Sequence, residues 1–79
     1  NKANNLFDFS SFGRKIKTLR MDQGLSRKQL SSKLEISERH IARIENEGRR
    51  PSLELFFALI IVFDVSVDGY FLSGENNKS

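Results

Sequence analysis

The run LSRKQLSSKLEISERHIARIE, residues 25–45, decides how this chain folds. It contains one pattern twice. Ser26 suits an N-cap, and Gln29 three residues later completes an S-x-x-Q capping box. Leu25 before the cap reaches Leu30 at the fourth helical position, a hydrophobic staple. The pattern predicts a short helix over 27–34. It then recurs: Ser37 caps, Ile36 staples to Ile41, and a second helix runs over about 38–46. Only Glu35 and Ile36 separate Leu34 from the second cap. Two short helices joined by so tight a turn meet at a steep angle.

The second helix sorts its residues by side. Each residue advances about 100°. Ile41 and Ile44 then share one side, which suits a core. Glu38, Arg39, Ala42, Arg43 and Asn46 fall on the other, polar around a small alanine. Such a face is commonly no more than a solvated surface, so its surroundings decide what it is.

Upstream, Phe9, Phe12, Ile16 and Leu19 recur at spacings of three and four, predicting a helix from Ser10 or Ser11 to Asp22, with Gly24 placed to end it. Downstream, EGRRPS is a loop. Ser52 caps a fourth helix through about Phe63. Ser66 is placed to cap a last short helix, near Val67 to Leu72, closed by Gly74. No strand, internal repeat or low-complexity segment is expected. The organisation is an N-terminal extension (1–9), one helical domain (10–73) and a C-terminal tail (74–79).

Seventy-nine residues make one small domain. There is no cysteine, hence neither a disulfide framework nor a thiolate metal site. The longest apolar run, LFFALIIVF at 55–63, is less than half of the ~20 residues a membrane-spanning helix needs. No leader pattern is visible. The chain reads as soluble and intracellular. It does not begin with Met, as a trimmed start or a piece of a longer protein would not.

Charge is unevenly placed. Residues 14–50 hold eleven Lys/Arg against five Asp/Glu; residues 51–79 hold one Lys against four acids. A basic lobe beside an acidic, apolar one suggests a polyanion on one side. An enzyme is not expected: there is one His, no glycine-rich phosphate loop, no H-x-x-x-H spacing and no paired carboxylates in an apolar setting. No cofactor and no metal are expected either.

In this order and spacing, residues 12–72 resemble the Cro/CI-type, or Xre-family, helix-turn-helix domain of phage and bacterial repressors. The matching run is LSRKQLSSKLEISERHIARIENEGRRPSLELFFALIIVFDVSVDGYFL. The resemblance implies an all-α, compact five-helix bundle, lambda/434-repressor-like, whose third helix lies in the major groove of duplex DNA. It implies that Glu38, Arg39, Ala42 and Arg43 face the bases. Arginine pairs best with guanine, and glutamate accepts from cytosine. Ser26, Arg27, Lys28, His40, Asn46, Arg49 and Arg50 would meet the DNA backbone. For His40 an exposed neutral side chain is an equal alternative. Lys15, Lys17 and Lys33 read as solvated lysines. The resemblance also implies a buried ion pair between Arg20 and Glu45.

The chain departs from the family in three places. Glu35 stands where the turn usually carries Gly, and Asp64 replaces another common glycine. Leu55, Ala58 and Ile61 are apolar where family members are usually polar. A helix apolar all round is normally covered all round. Either the N-terminal LFDF segment covers this stripe or a second copy does, giving a homodimer with Tyr70 and Phe71 nearby. The expected function is sequence-specific DNA binding by a transcriptional regulator, most simply a repressor acting as a homodimer. The rival is a protein-interaction module of the same fold, an antitoxin or adaptor, that seats an unidentified protein partner on the apolar face.

Overall fold

The computed structural model describes residues 6–71. Its four α-helices are α1 (Phe9–Asp22), α2 (Arg27–Leu34), α3 (Glu38–Glu47) and α4 (Leu53–Phe63), followed by a single 3-10 turn at Asp68–Tyr70. Among the described residues there is no strand, only an isolated antiparallel bridge between Phe7 and Phe71.

Each helix starts where a side chain satisfies an orphan N–H. The Ser26–Gln29 capping box forms in both directions, at 3.0 and 2.8 Å. Ser37 Oγ accepts from the His40 N–H at 3.0 Å, and Ser52 Oγ from the Leu55 N–H at 3.2 Å. α1 begins earlier than its apolar spacing indicates, because Asp8 caps it: its carboxylate accepts from the Ser11 N–H and hydroxyl at 3.0 and 2.6 Å.

The helix ends use left-handed residues. Gly24 follows α1 at φ 72°, and Gly48 ends α3 at φ 69°. Glu35 and Asp64 adopt the same region, at φ 59° and 54°. For Glu35 this costs about 1 kcal/mol relative to an unstrained residue. The turn can therefore be made without its usual glycine.

The core joins all four helices through Phe12, Ile16, Leu30, Ile41, Ile44, Leu55, Leu59, Phe63 and Val65. Full burial of such a side chain contributes about 1.5–3 kcal/mol. Phe7 extends the core at one end. Its ring lies 5.3 Å from Phe56 and 5.1 Å from Phe71, centroid to centroid, and the adjoining Asp8 N–H donates to the Tyr70 carbonyl at 2.7 Å.

Two expectations need correction. Among the described residues the bundle has four α-helices, not five. The segment after α4 makes one 3-10 turn with no side-chain cap from Ser66, and Phe71 is already extended. Val65 and Val67 are β-branched and Gly69 is a poor helix former, so little local preference supports a longer helix. Leu72, Gly74 and the tail lie outside the described residues, as do residues 1–5.

The second correction concerns α4. Leu55, Ala58 and Ile61 do not form one outer stripe. Leu55 is buried in the core, Ala58 is half-buried beside the turn between α2 and α3, and only Ile61 is open. Steps of three fall short of a full turn by about 60° each, so Leu55 and Ile61 end about 120° apart. Steps of four drift by only about 40°. The exposed line is therefore Leu53, Phe57 and Ile61, at 68, 52 and 77% exposure. The LFDF segment covers a different flank, where Phe7 meets Phe56. Tyr70 is half-buried and Phe71 exposed.

Candidate nucleic-acid interface

α3 is fixed by its inner side. Ile41, Ile44 and Glu45 are buried, and Ile41 and Ile44 join the core. α1 crosses close behind: a methyl group added at Gly13 would overlap the Ile44 carbonyl. α2 packs alongside through the tight turn, where the Ile36 N–H donates to the Ser31 carbonyl at 3.1 Å.

A buried charge cluster ties the three helices together. Arg20 Nε of α1 donates to Glu45 Oε2 at 2.7 Å, and its Nη2 to Oε1 at 3.3 Å. Arg20 Nη1 donates to the Leu25 carbonyl at 2.7 Å. Arg27 Nε of α2 then donates to Glu45 Oε1 at 3.0 Å. Glu45 is 1% exposed, and removing one partner of such a buried pair costs roughly 3–5 kcal/mol.

With its inner side held, α3 presents the other. Glu38 and Arg39 are exposed on its first turn, and Ala42 and Arg43 are half-buried one turn on. Among the described residues, the side chains of Glu38, Arg39 and Arg43 make no hydrogen bond or ion pair. Cationic groups flank this face. Lys28 is exposed on α2, and Arg49 and Arg50 are exposed in the loop after α3. Asn46 is exposed and accepts from Lys17 Nζ at 3.3 Å. His40 is half-buried on the flank, and the Ser26 hydroxyl is occupied as a cap.

Sequence reasoning misses two of these contacts. Arg27 is bound to Glu45, eighteen positions away, and Lys17 reaches Asn46 across twenty-nine. No periodicity encodes such pairs, which exist only once α1 and α2 have packed on α3.

A polar helix face backed by a second helix and a sharp turn, with cations around it, suits insertion into a major groove. A family model described as Helix-turn-helix (HTH_3) matches residues 16–70. The chain belongs to the Xre-type helix-turn-helix family. A search of curated proteins returned no match. The helix-turn-helix family is one of DNA-binding regulatory domains rather than enzymes, and here α2 and α3 supply the motif. No helix among the described residues is long and apolar enough to cross a membrane.

Proposed function

We propose that this helix-turn-helix chain is a transcriptional repressor that reads duplex DNA through α3 and acts as a homodimer. The observation that carries the reading is the outer face of α3. Glu38, Arg39 and Arg43 surround small Ala42, and these charged side chains are committed to no partner among the described residues. Arg39 and Arg43 suit guanine edges and Glu38 a cytosine amino group. Lys28, Arg49, Arg50 and Asn46, with Ser26 and His40 at the flanks, are placed to set the register on phosphates. Occupying a promoter is enough for repression, and the resemblance to phage and bacterial repressors favours it. The protein would then work where the chromosome is, in the cytoplasm or nucleoid.

The homodimer rests on the line Leu53, Phe57 and Ile61. Its three side chains form one exposed apolar line along α4. Packed against its own copy it would fall short of the ~800 Å² per partner of a standard interface. The dimer is therefore weak in free solution and consolidated on a two-fold operator, where each copy adds its own half-site contacts. The same line favours a second reading, a protein-interaction module of the antitoxin or adaptor kind. The basic surround of α3 has no use in that reading.

Selection from a random duplex library at several salt concentrations tests the proposal. Enrichment of one sequence supports base reading by α3, and two-fold symmetry in that sequence supports the dimer. Binding that vanishes at moderate salt without any enrichment overturns both.

A further inference from the structure

The cluster around Glu45 holds one cation more than it needs. Arg20 alone neutralises the carboxylate through two hydrogen bonds, and its side chain is itself 8% exposed. Arg27 adds a second guanidinium, which leaves the cluster with a net charge of +1. A surplus positive charge beside a buried ion pair does not help the fold in proportion, because each added ion must be desolvated.

Among the described residues, the Arg27 side chain is bound in one place. Its Nε donates to Glu45 Oε1 at 3.0 Å, while among the described residues its two terminal amino groups make no hydrogen bond. Its side chain is 34% exposed, against 0% for the glutamate. A guanidinium held by Nε keeps its plane fixed and its remaining N–H groups directed. A lysine ammonium on the same carboxylate would be a single point charge with no second edge to offer.

We propose that Glu45 is a positioning residue for DNA binding: it grips Arg27 by Nε so that the terminal amino groups clamp one phosphate as α3 enters the groove. Arg27 is thus shared between a buried carboxylate and the DNA backbone, and the buried charge that joins the helices also sets where the phosphate sits. The proposal rests on the DNA-binding reading of α3.

The test compares wild type, Arg27→Ala and Arg27→Lys on a short labelled duplex of mixed sequence, across salt from about 50 to 200 mM. Each phosphate contact contributes about one unit to the slope of log affinity against log salt. Both variants should lose about one unit of slope, while Arg27→Lys, which still pairs with Glu45, keeps a melting temperature near wild type. In labelled wild type, the Arg27 Nε–H resonance should persist when the duplex is added, while its terminal N–H resonances shift. An unchanged slope in Arg27→Ala makes Arg27 purely structural and overturns the proposal. A full slope in Arg27→Lys, or loss of the Nε–H resonance on DNA, overturns the part assigned to Glu45. Wild type with no salt-dependent binding removes the DNA reading itself, and this proposal with it.

Discussion

Gly13 of α1 lies directly under the Ile44 carbonyl of α3, with no room for a methyl group between the two helices. That contact sets how deeply α1 seats behind the reading helix. Gly13→Ala must push backbone from backbone, which no rotamer change relieves. The expected cost is about 1–3 kcal/mol, seen as a lower melting temperature. A melting temperature equal to wild type would mean that the crossing is looser than described.

Arg43→Ala should relax base preference at one operator position and leave the fold intact, because the side chain makes no hydrogen bond among the described residues. The lost discrimination should be about 1–3 kcal/mol. Comparing enriched sequences for the two proteins checks it. An identical preference removes Arg43 from the readers.

Ile61→Lys should shift the protein toward monomer in sedimentation at high concentration. Ile61 is open to solvent, so the fold should tolerate the change. Leu55→Ala serves as the contrast. It empties a core position and should cost about 2–5 kcal/mol. If Ile61→Lys leaves the mass distribution of wild type unaltered, the exposed line of α4 does not join two copies.

Asp8 makes stability depend on pH at the acid end. The Ser11 hydroxyl and then the Ser11 N–H hold its carboxyl below the ordinary carboxylate value. A lowered folded-state value contributes stability that is complete above the unfolded value, about pH 3.9, and is lost as pH falls through the folded one. Asp8→Ala should therefore cost about 1 kcal/mol at neutral pH, with the gap to wild type closing below about pH 4. A gap independent of pH would show that the cap acts without its charge.

What could be read from the residues alone was local. The Ser26–Gln29 box, the Ser37 and Ser52 caps and the two-residue turn depend on neighbours within four positions, and each is where its pattern puts it. The cap at Asp8 was hidden by serines at 10 and 11 that are themselves good caps. The exposed line of α4 was misplaced because Glu54, on the first turn, is the one polar residue in an otherwise apolar helix; over the rest, packing against α1 and the turn reveals the outside. The interface is harder still. Sequence placed five side chains on one face of α3, but the partnership of Arg27 with Glu45 appears only when α2 has docked.

The bridge between Phe7 and Phe71 closes nearly the whole described chain into one loop. Closing a long loop carries an entropic cost that local helix contacts do not. The strap should therefore open alone, as a small cooperative unit, well before the helices separate. Hydrogen exchange would then see the Asp8 amide, bonded to the Tyr70 carbonyl, exposed to solvent far more often than the Ile44 amide within α3. During such an opening Phe7 leaves Phe56 while the cluster around Glu45 stays whole. The end of the molecule that breathes is separate from the helix that reads.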